Sequence, residues 1–260
     1  MSHFRRDSPH HDDDHGEGMA GKREEGGARR RSRGSGRRTG GLCRGRRPGP
    51  GAELVLQVIE SRPSKTVTSS AVVGSSAISS PGSHDLLASI AQRGADGAFR
   101  NNAVVVRPDG HVDRYAKIHP FSFAGEDKEY TAGGRFLTVT LDDVRVSAFV
   151  CYDLRFADEF WGRALDTDLY VVSANWPSIR VEHWRALLRA RAIENQAYVL
   201  GVNRVGRDRE LDYPGASALI DPVGVTVFGG GDRAAVLSAE MDPGAVRATR
   251  QNFPFLADRR

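Results

Sequence analysis

Three residues of this 260-residue chain combine reactive side chains with suggestive settings. Cys151 closes the apolar run in "SAFVCYDLRF" (147–156), where a buried strand gives way to a turn and a side chain can face a pocket. Such a cysteine is either a small packed hydrophobe or a nucleophile, whose reactive form is the thiolate. Lys117 ends a strand-like stretch in "RYAKIHPF", and the polar, Gly-containing loop after it holds Glu126. Alone, these are a surface lysine and an ordinary loop acid. A strand-end lysine, a loop glutamate and a strand-end cysteine form a less ordinary set, and together they hold the ingredients of covalent catalysis.

The elements that must position these residues are legible as alternating patterns. Leu54, Val55 and Leu56 form a short strand-like run, and "SAVVGSSAI" (70–78) is a second candidate strand. A helical patch is expected near "HDLLASIAQ". "NNAVVVRPDGHVDRYAKI" is a hairpin signature: a run from Ala103 to Val106, a Pro-Asp-Gly turn, and a strand ending near Lys117. "RFLTVTLDDVRVSAFVCY" reads as two strands around Asp142 and Asp143, and "LYVVSANW" as a strand buried on both faces. "VEHWRALLRARAIENQA" spaces Trp184, Leu187, Leu188 and Ala192 as an amphipathic helix, and "AYVLGVNRV" and "GASALIDPVGVTVF" return to strand. The order predicts one layered α/β domain over residues 51–260.

Composition narrows the class. The net charge of +4 belongs to the first 50 residues, which hold 13 Lys and Arg against 7 Asp and Glu, leaving 24 against 26 for the rest. Basicity confined to a tail argues against a nucleic-acid partner for the domain. Residues 1–50, rich in Arg, Gly and Ser, offer little to bury and are expected to be disordered. An Arg/Gly-rich composition is also what a wrong start or reading frame in a GC-rich gene produces, and that reading is preferred. No run reaches the roughly 18–20 apolar residues a membrane helix needs. Cys43 and Cys151 are too few and too unlike for a disulfide framework, which favours a reducing, cytoplasmic setting. His119 and His183 lack metal-ligand spacing and read as structural or surface residues.

On the segments "YAKIHPFSFAGEDKEYTAGG", "VCYDLRFADEFW", "VVSANWPSIRVEHWRALLRARAIENQAYVLGVNRVG", "YPGASALIDPVG" and "RQNFPFLADRR", the chain resembles the carbon-nitrogen hydrolases of the nitrilase superfamily. The wording "CYDLRF", "ANWP" and "RAIENQAYV" is most like the ω-amidase branch, which hydrolyses the terminal amide of small 2-oxo dicarboxylic monoamides. The resemblance implies an αββα sandwich, an assembly of two or more copies, no metal or organic cofactor, and a Glu-Lys-Cys triad. It makes Cys151 the nucleophile, Lys117 the triad lysine and Glu126 a supporting glutamate. The backbone N–H of Tyr152 joins Lys117 at the oxyanion, Trp176 lines the pocket entrance, and Tyr130 and Phe123 shape the pocket. Arg155 and Glu194 are expected to hold loops and helices in place.

The resemblance fails at its start. The family opens with a strand and a helix, then a second strand ending in a Leu-Pro-Glu type motif whose glutamate is the general base. "GAELVL" fits that second strand, but "QVIESRPSK" follows it, and Glu60, the one acid near the right place, falls a residue late. A one-residue offset along a strand reverses the face. The domain is therefore expected to be N-terminally incomplete. Three readings stand beside one another: an amidohydrolase for a linear amide, a hydrolase of N-carbamoyl-amines or nitriles, and an inactive family member serving as a binding or assembly subunit.

Overall fold

A computed structural model describes residues 84–208 and 210–259, together with the backbone of two earlier strands, β1 (Ala52–Val58) and β2 (Ser70–Gly74). The Arg/Gly-rich stretch 1–50, Cys43 and Glu60 lie outside the described residues. Both candidate strands of the N-terminal half are therefore present as β1 and β2. The patch around "HDLLASIAQ" is not a helix: it is the strand β3 (Asp85–Arg93), paired residue by residue with β4 (Phe99–Val106) from Leu86↔Val106 to Arg93↔Phe99. The turn chemistry between them decides this. Gly94 N–H donates to Ala98 O at 2.8 Å, Gly97 takes a φ of 80°, and the Asp96 carboxylate accepts Ala98 N–H at 3.2 Å. A closed Gly-Ala-Asp-Gly turn sends the chain straight back, and pairing overrides a weak local propensity.

The "RPDGH" turn follows as read from sequence, leading from β4 into β5 (Val112–Ala116). The first sheet is completed at its far edge by β14 (Ala235–Met241), giving the order β14-β1-β2-β3-β4-β5 with every pair antiparallel.

The second sheet contains β6 (Thr138–Leu141), β7 (Val144–Val150), β8 (Leu169–Ala174), β9 (Tyr198–Asn203), β12 (Ala218–Ile220) and β13 (Thr226–Gly229), in the order β13-β12-β9-β8-β7-β6. Its centre, β7-β8-β9, is parallel, and every residue of β8 and β9 is buried. This is why those strands read as continuous apolar runs: both faces are covered. A short ribbon, β10 (Val205–Arg207) with β11 (Asp212–Pro214), extends from the end of β9.

The two sheets pack face to face, β4 over β7 and β3 over β8, around Leu87, Val105, Tyr115, Phe149, Val171 and Leu200. Helix α3 (Val181–Asn195) lies on β9 and β12 with Trp184, Leu188 and Ala192 turned inward. Gly201 on β9 makes this close approach possible, since a Cβ there would collide with Leu188 and Trp184. Two shorter helices accompany it: α2 (Ala157–Trp161), against α3, and α4 (Pro243–Asn252), whose Arg250 donates to the carbonyls of Ala164 and Thr167. Among the described residues no helix is long and apolar enough to cross a membrane.

Candidate active site

Ligand sites in α/β sheets gather where parallel strands end, and here Cys151 follows β7, Asn175 follows β8, and Lys117 follows β5 of the facing sheet. All three line one cavity of about 350 Å³, together with Asn101, Glu126 and Tyr130.

Cys151 opens a 3-10 turn, Cys151–Arg155, with a φ of 49° in the left-handed region. For a non-glycine residue that conformation costs on the order of 1 kcal/mol and persists only where its surroundings enforce it. Asp153 provides the enforcement. Fully buried, it accepts the N–H of Val150 at 3.1 Å, the N–H of His119 at 2.9 Å, and the hydroxyl of Tyr115 at 2.8 Å. One carboxylate thus ties the residue before the cysteine to residues on either side of Lys117. Burial pushes the Cys151 thiol up, opposed by the charge of Lys117 and a hydrogen bond from the backbone of Asn175.

Lys117 is 3% exposed. Its N–H donates to Asn101 O at 2.9 Å, and its carbonyl accepts Gly133 N–H at 2.8 Å, closing the loop between them. Its Nζ meets Glu126 Oε2 at 2.5 Å. Glu126 begins the single turn α1 (Glu126–Glu129), after Gly125 has reversed the chain at φ 74°. Burial, the largest single influence, pushes the Glu126 carboxyl up, and the charge of Lys117 outweighs it only together with hydrogen bonds from Lys117, Asn101 Nδ2 at 2.9 Å and Phe121 N–H at 2.7 Å. The net result lies below the usual carboxylate range. A carboxylate held ionised by three donors is a poor proton acceptor and a good anchor for a cation.

The cavity also holds unused hydrogen-bonding capacity. Ser173 Oγ and Asn175 Oδ1 are buried and have no partner among the described residues. Buried polar atoms are ordinarily satisfied, so these two are set to receive a ligand.

The other sequence-read positions divide cleanly. Tyr130 lines the cavity, and Tyr152 lines a smaller cleft beside it, with Trp176 and Arg155. Trp176 is buried, its Nε1 donating to Arg180 O at 2.7 Å. Phe123 is 88% exposed and lines neither space; Phe121, two residues earlier, lines both. The single-turn geometry after Phe121 turns Phe123 outward, which composition alone does not reveal. Arg155 stacks over Trp176 and meets His183 Nδ1 at 3.2 Å, while Glu194 pairs with Arg191 at 2.8 Å. His119 stacks on Phe156 with ring centroids 3.7 Å apart and sits against Asp153 and Glu159, a structural role. The residues missed from sequence are Asp153, Asn101, Phe121, Ser173 and Asn175. For Asp153 a signal existed in its place two residues after the cysteine, just beyond a buried apolar strand.

Residues 77–251 match the carbon-nitrogen hydrolase family, and the chain belongs to it. The packed sheets and their helices are those of the nitrilase superfamily. A solved relative, XC1258 from Xanthomonas campestris, described as a CN-hydrolase superfamily protein with an arsenic adduct in its active site, superposes with a TM-score of 0.65 at 36% identity, over 67% of this chain and 68% of that one. Among characterised proteins, the chain is 43% identical to the omega-amidase YafV of Yersinia enterocolitica over 65% of its own length and 66% of the relative's. It is 38% identical to the 2-oxoglutaramate amidase of Paenarthrobacter nicotinovorans, over 62% and 57% respectively. The chain thus spans less than two thirds of the length of both curated relatives.

Proposed function

We propose that this protein is an amidohydrolase of the ω-amidase kind, cleaving the terminal amide of a small linear amide through a thioester on Cys151 and releasing ammonia. The observation that carries this reading is the placement of a cysteine on a left-handed turn in the same cavity as a buried Lys117–Glu126 ion pair. The naming of similar proteins as omega-amidase and 2-oxoglutaramate amidase supports the substrate class.

In this mechanism the Cys151 thiol gives its proton to a carboxylate as sulfur attacks the amide carbon. The oxyanion is held by the Lys117 ammonium and the backbone N–H of Tyr152. Collapse breaks the carbon-nitrogen bond, and the departing nitrogen takes the proton back from the carboxylic acid and leaves as ammonia. Water, deprotonated by the same carboxylate, then hydrolyses the thioester and restores the thiol. Glu126 anchors Lys117 and does not serve as the base.

The base is assigned to Glu60, the only acid between β1 and His84. What supports this is its place in the sequence, two residues beyond the strand to which the resemblance assigns the general base.

Residues 51–260 are assigned as the hydrolase domain, working in the reducing cytoplasm, with which the free thiol of Cys151 is consistent. We assign it a self-associated state, for which the exposed apolar side chains Ile193, Val223 and Val225 supply a contiguous surface, with Gly224 against Ile193. Ammonia release from 2-oxoglutaramate tests the reaction: Cys151→Ala should abolish it and Glu60→Gln reduce it at least about 100-fold. Turnover surviving Cys151→Ala would end the proposal, and absence of turnover by the unaltered chain would leave the reading of an inactive binding subunit.

A further inference from the structure

A second cavity, of about 410 Å³, lies where β4 and β5 meet the loop 130–137 between α1 and β6, and it shares no lining residue with the cavity around Cys151. Its walls are Arg100, Arg114 and Arg135, with Ala116 and the stretch Ala132–Gly134 between them, so every charged side chain lining it is a cation. Strand alternation explains the convergence. Tyr115 is buried between the sheets, so its neighbours Arg114 and Ala116 point to the opposite face. Asn102 pairs with Ala116, and Arg100, two residues from Asn102, shares that face.

The charges are poorly matched by acids. Arg100 is half-buried and pairs with Asp96 at 2.6 Å. Arg114 donates only to uncharged oxygens, Gln92 Oε1 at 3.2 Å and Val112 O at 3.0 Å, while its neighbour Asp113 is engaged by Arg107 at 3.4 Å and His111 at 3.2 Å. The Arg135 guanidinium has no hydrogen bond or ion pair among the described residues. The backbone N–H groups of Gly134 and Arg135 likewise have no acceptor among them, and open space stands where a Cβ of Gly134 would be. The cavity thus offers donors and positive charge, and a ligand has to bring acceptors and negative charge. A phosphoryl group supplies up to two charges and three oxygens, a closer match to three guanidinium groups than one carboxylate. No aromatic ring lines the space, so nothing there stacks on a nucleobase.

We infer that Arg100, Arg114 and Arg135 form a binding site for a small phosphorylated compound whose presence braces the loop 130–137. The loop is pinned at two points: Thr131 N–H donates to Phe99 O and Gly133 N–H to Lys117 O, each at 2.8 Å. A ligand bridging Arg135 to Arg100 and Arg114 ties the far end of the loop to the same strands and holds both bonds shut. The site stands apart from the amidase reading and does not depend on it.

Inorganic pyrophosphate is the probe, added to the full chain, with NaCl at equal ionic strength as the control. Amide hydrogen exchange followed by mass spectrometry locates its effect: peptides covering 131–136 and 112–117 should exchange several-fold more slowly with pyrophosphate and not with NaCl. Titrating that protection should give a dissociation constant below roughly 1 mM. Arg114→Gln and Arg135→Gln should each raise it about 10-fold or more, and Arg135→Lys, which keeps the charge, should retain part of the affinity. Both arginines are exposed and without an acid among the described residues, so the variants should fold, and exchange in β8 and β9 without the probe checks this. The Arg-rich stretch 1–50 also attracts pyrophosphate, and the variants separate the two. Absence of protection at 131–136, equal protection by NaCl, or an affinity unmoved by both Gln substitutions would overturn the inference.

Discussion

The hydroxyl of Tyr115 donates to the buried carboxylate of Asp153 at 2.8 Å, joining residues 38 apart in sequence across the two sheets. Tyr115 lies two residues before Lys117, and Asp153 two residues after Cys151. Through this bond and the two backbone N–H groups on the same carboxylate, the strand ends bearing the ammonium and the thiol are held as one unit. Removing it should be costly. Asp153→Ala strands several buried donors and should destabilise the fold by about 2–4 kcal/mol, with Asp153→Asn costing less; urea denaturation measures both.

The Lys117–Glu126 pair makes stability depend on acid pH with a definite sign. The Glu126 carboxyl titrates lower in the folded protein than its ordinary value of 4.5, so the folded state binds fewer protons there. The stabilisation is complete above pH 4.5 and drains away as pH falls through the lower folded value. Glu126→Gln should lose about 1–3 kcal/mol at neutral pH, because Lys117 is left buried without its counter-charge, and should show a flatter acid limb than the unaltered protein. Unfolding free energies measured from pH 7 to pH 3 decide the point.

Thiol reactivity should report the field of Lys117 directly. Burial raises the Cys151 thiol and the ammonium lowers it. Lys117→Met keeps length and removes charge, so the inflection in a pH profile of alkylation should move further up and the rate at pH 8 should fall several-fold. An unchanged profile would show that Lys117 does not act on the thiol.

A backbone prediction concerns Gly133, whose N–H closes the loop on Lys117 O and where a Cβ would run into the Ala116 carbonyl. Gly133→Ala should force that closure open. The expected cost is about 1–3 kcal/mol in thermal or urea unfolding, with a raised KM, since Glu126 and Tyr130 belong to the displaced loop.

Much of the architecture was legible because its signals are local. The apolar runs at 169–174 and 198–203 are strands buried on both faces, and the Pro-Asp-Gly turn closes the hairpin between β4 and β5. The exception, β3, was misread as helical because Leu86, Leu87 and Ile90 satisfy a helical spacing as well as a strand's. Only the partner strand returning from the Gly94–Gly97 turn removes that ambiguity.

The sequence by itself determined which side chains end the strands: Cys151 after β7, Lys117 after β5, Glu126 in the loop beyond. These follow from patterns within ten residues, and short-range sterics and burial enforce them. The tertiary structure alone decided what those side chains meet. It set Lys117 against Glu126, used Asp153 to bind one sheet's strand end to the other's, and chose Phe121 over Phe123 for the wall. It also brought Arg100, Arg114 and Arg135 to one cavity. The reason is physical: partners separated by tens of residues are chosen by how two sheets pack, and no local periodicity records that choice.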